Sequence, residues 1–307
     1  MTKHLCFLTL LLLIASSSAA ISKPLRIVAS IKPVHSLVAG ITQGVSEPEL
    51  LMSSNQSPHH YSLRPSERRM LAEADLVFWI GPSMESFMPR ILGSLRNKQK
   101  SVPLIQTQGL KLLPLRQMDN EHAHDEHRHN KTDHGLSKLD AHFWLDTHNA
   151  DILVDAISQQ IIRFDPEHRQ QYQSNSQQLH HQIAQLRKNL QQSLSTIKSP
   201  FLTYHDGYQY FEAEFGLHNA GFIAASELQP GARRISELKT LIKEQDIECI
   251  YYDAPTEPAI LKSLQTNSKA KTAMLDPVGI FIPPGKEVWF EIMNSLNKQF
   301  INCQQNL

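Results

Sequence analysis

Three histidines and one aspartate stand where a strand end or the loop after it could aim them at a common point. His59 lies in Ser57-Pro58-His59-His60-Tyr61, after a short apolar segment at Glu49 to Met52. His142 lies in Ala141-His142-Phe143-Trp144-Leu145, His205 follows Phe201 to Tyr204 directly, and Asp276 follows Thr272 to Leu275 and precedes Pro277. Two of the four belong to each half of the chain, so a cleft between the halves could collect three imidazoles and one carboxylate. That donor set suits Zn²⁺, which takes His nitrogen and Asp oxygen in a tetrahedral shell and needs no fixed spacing when its ligands come from separate loops. Mn²⁺ and Mg²⁺ favour oxygen-rich shells, so three His to one Asp points to zinc over manganese. Spacing alone leaves each position open to an ordinary hydrogen-bonded role, and it leaves His60 as an alternative to its neighbour His59.

A second group of histidines has a different character. The chain of 307 residues carries 16, of which His122, His124, His127, His129 and His134 fall in one short stretch, interleaved with Asp125, Glu126 and Asp133. Gln117 to Leu136 has almost no apolar content and no period, which predicts an exposed, disordered loop. Its imidazoles and carboxylates could bind zinc loosely as an auxiliary collector beside the cleft; the plain alternative is a solvated spacer.

The amino terminus predicts export. Lys3 and His4 precede an apolar run from Leu5 to Ile14, and Ser18-Ala19-Ala20 suits cleavage after Ala20, giving a signal peptide over residues 1–20. The run is too short to cross a bilayer comfortably, which takes about 20 residues. Cys6 leaves with the leader, and Cys249 and Cys303 remain, an even pair that implies one disulfide in an oxidising compartment. A cross-link over such a loop contributes about 4 kcal/mol in the chain-entropy model. The formal net charge is zero, which removes any electrostatic case for nucleic acid or an acidic membrane surface as partner.

The elements that must position these residues alternate between strand and helix. Strands are predicted at Leu25 to Ser30, Glu49 to Met52, Leu76 to Ile80 and Val102 to Ile105. Between them, helices start at Pro33 and Pro65 and near Ser83, the last running to Leu95. Pro166 to about Ile197 has no interior Gly or Pro and carries Ile183, Leu186, Leu190 and Leu194 at helical intervals, so it reads as one long helix stopped by Pro200. The alternation then resumes, with strands at Phe201 to Tyr204, Phe222 to Ala224, Ile247 to Tyr252 and Thr272 to Leu275. Helices fall near Gly207 to Phe215, Arg234 to Gln245, Pro258 to Leu264 and Lys286 to Phe300. Trp79 and Trp289 sit on apolar periods and read as core. The expected class is α/β: two lobes, each a mostly parallel sheet flanked by helices, joined by one long rigid helix. Ligands of such sheets sit beyond the carboxyl ends of the strands.

Five segments carry a family resemblance. Pro58-His59-His60-Tyr61-Ser62-Leu63-Arg64-Pro65-Ser66, Ala141 to Leu145, Tyr204-His205-Asp206-Gly207-Tyr208-Gln209-Tyr210-Phe211, Glu227-Leu228-Gln229-Pro230-Gly231 and Leu275-Asp276-Pro277-Val278-Gly279 resemble, in the same order, the signature blocks of the zinc-binding solute receptors of ABC importers. The resemblance implies two α/β lobes with the metal between them. It carries the ligand role onto His59, His142 and His205, with Asp276 at the place of a carboxylate in many relatives. Where some members carry a Glu just before the first ligand this chain has Pro58, which leaves Asp276 or a water as fourth ligand.

The His-rich loop and the Cys249–Cys303 pair also match. The resemblance implies a periplasmic monomer that binds Zn²⁺ as cargo and serves a membrane permease and its ATPase. The boundaries expected are a leader at 1–20, an N-terminal lobe at 21–163 containing the loop at 117–136, a linker helix at 164–198 and a C-terminal lobe at 199–307. The chain is expected not to be an enzyme. The alternatives are a secreted zinc hydrolase, for which Glu227 is the one acid to nominate as base, and a manganese or iron receptor or adhesin on the same fold.

Overall fold

The computed structural model describes residues 24–53, 57–95, 101–116, 138–224 and 230–305. The expected leader, the His-rich loop and Glu227 lie outside these residues.

The first half builds a four-stranded, all-parallel sheet from β1 (Ile27–Ala29), β2 (Glu49–Leu50), β3 (Leu76–Trp79) and β4 (Ser101–Pro103), in the order β2-β1-β3-β4. Its central strands read as unbroken apolar runs because helices cover both faces. The helices of this half are α1 (Lys32–Thr42), α2 (Pro65–Glu73), α3 (Met88–Ser94) and α4 (Thr147–Phe164). The second half repeats the scheme with β5 (Phe201–His205), β6 (Asn219–Ala224), β7 (Cys249–Asp253) and β8 (Lys271–Leu275), in the order β6-β5-β7-β8. Its helices are α6 (Gln209–Phe215), α7 (Ala232–Glu244), α8 (Ile260–Gln265) and α9 (Val288–Gln305).

The long helix is α5, Arg169–Leu194, entered through a 3₁₀ turn at Pro166–His168. Its 26 residues span about 39 Å at 1.5 Å per residue. It lies against α1 and α4 of the first half and α9 of the second. The stripe Leu179, Ile183, Leu186, Leu190 and Leu194 is buried there, so one apolar core runs through both halves. Trp79 and Trp289 belong to that core.

Three local expectations need correction. The helix expected from Ser83 begins only at Met88. The buried Glu85 carboxylate accepts the backbone N–H of Gly81 and Ile80 and the hydroxyl of Ser30, which ties Ser83 to Phe87 into turns. The strand expected at Val102 to Ile105 ends at Pro103 and becomes a 3₁₀ turn at Leu104–Gln106. Finally, α4 is a helix where no element is expected. Asp146 caps it by accepting the N–H of His148 at 2.8 Å and of Asn149 at 3.0 Å, and Leu153, Val154, Ile157 and Ile161 form its buried face.

The two halves are fastened together by buried and half-buried polar contacts. The Lys32 ammonium on α1 donates to the carbonyls of Gly279, Ile280 and Ile282 at 2.7, 2.9 and 2.8 Å. Arg116 pairs with both oxygens of Asp206 and, at 2.8 Å, with Glu212. The Trp144 and Trp289 indoles donate to the Pro277 and Trp144 carbonyls. The Cys249–Cys303 disulfide expected from the cysteine count is present, joining β7 to α9.

Candidate metal site

His59 is carried by a 3₁₀ turn, Pro58–His60, whose entry is capped by the Ser57 hydroxyl accepting the His59 N–H. His142 precedes another such turn, Phe143–Leu145, and His205 is the last residue of β5. Three widely separated chain segments thus deliver three imidazoles to one place. Ring centroids lie 5.4 Å apart for His59 and His142, 5.7 Å for His59 and His205, and 5.0 Å for His142 and His205. One nitrogen from each ring falls within 4.8 Å of the other two. In a tetrahedral zinc shell with bonds near 2.0–2.1 Å the nitrogens stand about 3.4 Å apart, so modest ring rotation is enough to bind an ion. His60 is exposed and takes no part in this group.

The supporting shell is specific. Oδ1 of Asp140 lies 2.7 Å from Nδ1 of His142, which leaves Nε2 facing the cluster. Asp140 is itself held by Gln209 Nε2 at 2.8 Å, and the Tyr210 hydroxyl donates to its carbonyl. Gly207 makes room: a Cβ there would sit 2.9 Å from Cε1 and Nδ1 of His205 and 3.3 Å from Nε2 of His142. A cavity of about 350 Å³ opens above the rings, walled mainly by apolar side chains such as Met84, Trp144 and Val278.

Electrostatics differ among the three rings. Burial, then the neighbouring His142 and His205, lowers His59 to about 3, so it is neutral at ordinary pH. Burial also works to lower His205, but Asp253, Asp206 and Asp140 outweigh it and leave its pKa raised. Asp140 is held below the usual carboxylate range: burial would raise it, and the contacts from His142 and Gln209 together more than reverse that. Nε2 of His59 is buried without a hydrogen-bond partner among the described residues, as expected of an atom meant for another ligand.

Asp276, the carboxylate expected as fourth ligand, stands beside the Phe281 amide. It does not join the three-histidine group and does not line the cavity. Its Oδ2 accepts the Phe281 N–H at 3.4 Å, and its Oδ1 is buried without a partner among the described residues. The acid that does line the cavity is Asp253, at the end of β7, which sequence reasoning misses. The one available signal is that β7 ends, like β5, on a side chain able to do chemistry. A second cluster, Asp146, His148 and Glu214, is committed to capping: Asp146 holds the start of α4 and Glu214 accepts from the Thr147 amide and hydroxyl.

Known proteins share this architecture. The family model described as zinc-uptake complex component A, periplasmic, matches residues 27–303. The high-affinity zinc uptake system protein ZnuA of Brucella abortus (strain 2308) is 33% identical over 303 aligned residues, covering 90% of this chain and 91% of that one. Among solved structures, a crystal structure of ZnuA superposes with a TM-score of 0.78 at 21% identity, over 92% of this chain and 100% of that one. The solute-binding protein FpvC of Pseudomonas aeruginosa, in complex with Mn²⁺, also reaches 0.78, at 19% identity over 92% and 99%. These two likenesses speak to the fold.

Proposed function

This chain belongs to the family of periplasmic zinc-uptake components, and from that premise we propose that His59, His142 and His205 capture Zn²⁺ between the two halves for delivery to the permease of an ABC importer. The family is one of substrate-binding receptors and not of enzymes, so the hydrolase alternative is set aside. The observation that carries the proposal is the convergence of three imidazole nitrogens within 4.8 Å of one another. Three nitrogen donors suit zinc better than manganese, although a structural neighbour holds Mn²⁺. The fourth position falls to Asp276, whose Oδ1 is buried without a partner among the described residues while Oδ2 holds the Phe281 amide, or to a water.

Residues 21–163 and 199–307 form the two lobes and 164–198 the link between them. The inter-lobe contacts of Lys32 and Arg116 restrict opening, so release depends on docking to the permease and its ATPase. The protein works as a monomer in the periplasm after loss of residues 1–20. The His-rich stretch acts as an auxiliary collector: its flanking residues pair as Pro114 with Leu139 beside Asp140, and Arg116 is anchored on Asp206, next to His205. His122, His124, His127, His129 and His134 are the donors proposed for this role. Removing 117–136 should lower total zinc stoichiometry and leave one cleft-bound ion.

The test is transport. Cells lacking this chain should fail to grow in zinc-chelated medium and recover with the wild type but not with His142→Ala. Equal recovery with both would refute the proposal.

A further inference from the structure

Asp253 ends β7 as His205 ends β5. In the parallel ladder Phe201, Leu202 and Thr203 pair with Cys249, Ile250 and Tyr251. Two residues beyond the last pair, where the period of a strand returns side chains to the same face, come His205 and Asp253. The register therefore sets an acid beside an imidazole. Oδ1 of Asp253 accepts the hydroxyl of Tyr208 at 2.6 Å and lies 3.9 Å from Nδ1 of His205. Tyr208 is fully buried, so this tether is fixed. Oδ2 is buried and has no partner among the described residues, and the residue lines the cavity shared by the three histidines.

We propose that Asp253 is the positioning residue of His205: it accepts the Nδ1 proton of that ring and so presents Nε2 to the metal, as Asp140 does for His142. The inference rests on the zinc-receptor proposal above. A histidine that ligates zinc almost always donates its other N–H to a carboxylate, a carbonyl or water, which fixes its tautomer and strengthens it as a donor. Among the three rings, His142 has such a carboxylate at 2.7 Å. The Asp253–His205 separation is about 1 Å longer than a hydrogen bond, a gap that ring rotation closes as the metal is seated. Oδ1, which lies 3.9 Å from that ring nitrogen, keeps a second lone pair beside its Tyr208 contact to receive the proton. Direct ligation fits less well, because the atoms lying within 4.8 Å of one another belong to the three histidines without Asp253.

The test compares Zn²⁺ and Co²⁺ titrations of the mature protein with those of Asp253→Ala, Asp253→Asn and His59→Ala, each checked for wild-type near-UV circular dichroism. Asp253→Ala should weaken Zn²⁺ binding about 10–100-fold. Asp253→Asn, which keeps an acceptor, should recover part of that loss. The Co²⁺ ligand-field bands should stay at their wild-type positions in both, since the inner ligand set is unchanged. Unaltered affinity in Asp253→Ala, or displaced Co²⁺ bands reporting a lost inner ligand, would overturn the inference. His59→Ala reports separately on the cleft itself: if it binds like the wild type, the zinc-receptor proposal fails whatever Asp253 does.

Discussion

A single carboxylate oxygen, Oδ1 of Asp140, holds His142 twice: it accepts the backbone N–H at 2.9 Å and sits 2.7 Å from Nδ1 of the ring. The imidazole is thereby oriented before any metal arrives. Asp140→Ala should lower zinc affinity about 10–100-fold, measured by competition with a chelating dye. Because the folded protein holds Asp140 below its ordinary range, the stability it contributes is present above about pH 3.9 and is lost as pH falls through the lower folded value.

Gly207→Ala should remove zinc binding while leaving the protein folded. The added methyl would stand 2.9 Å from two atoms of the His205 ring, closer than a carbon can approach without displacing it, and 3.3 Å from Nε2 of His142. Isothermal titration should show the loss, with a far-UV spectrum unchanged. Wild-type affinity would mean that the rings have more freedom than this packing allows.

The metal-free protein should lose stability as pH falls below about 6.5. Burial and its two neighbouring histidines lower His59 to about 3 in the folded state, so between these values the unfolded chain binds the proton and the folded chain does not. Protonation therefore favours unfolding across that window. Urea melts from pH 7 to pH 4 should show the decline, and His59→Ala should flatten it.

Lys32→Met should destabilise the protein by about 3 kcal/mol in urea unfolding, since three carbonyls lose a charged donor in a largely dry setting. The segment it holds, from Gly279 to Ile282, also supplies the amide on Asp276, so zinc dissociation should quicken in stopped-flow chelation. An unchanged dissociation rate would separate this clamp from the site.

Much of the fold is legible in the sequence because both sheets are parallel. Strands buried on two faces leave continuous apolar runs such as Ile27 to Ala29 and Leu76 to Trp79, and helices between them leave a different period. The helix α4 escapes because its start, Asp146-Thr147-His148-Asn149, looks like a polar loop until Asp146 is recognised as a cap. His59 and His205 can be proposed from their places after or at the end of strands, and His142 from the segment Ala141 to Leu145 that carries the family resemblance. Asp253 cannot, because its significance comes from the pairing of β5 with β7, and strand order is a long-range property. The place of Asp276 beside Phe281 is hidden for the same reason: the loop that turns it is held by Lys32, some 247 positions away in sequence.

Elemental analysis of the mature protein without residues 117–136, after dialysis against trace zinc, probes the three-histidine centre itself. One zinc per chain is expected for the parent, and close to none for His59→Ala, His142→Ala and His205→Ala alike. Retention of a full equivalent by any of the three would show that the ion is held elsewhere.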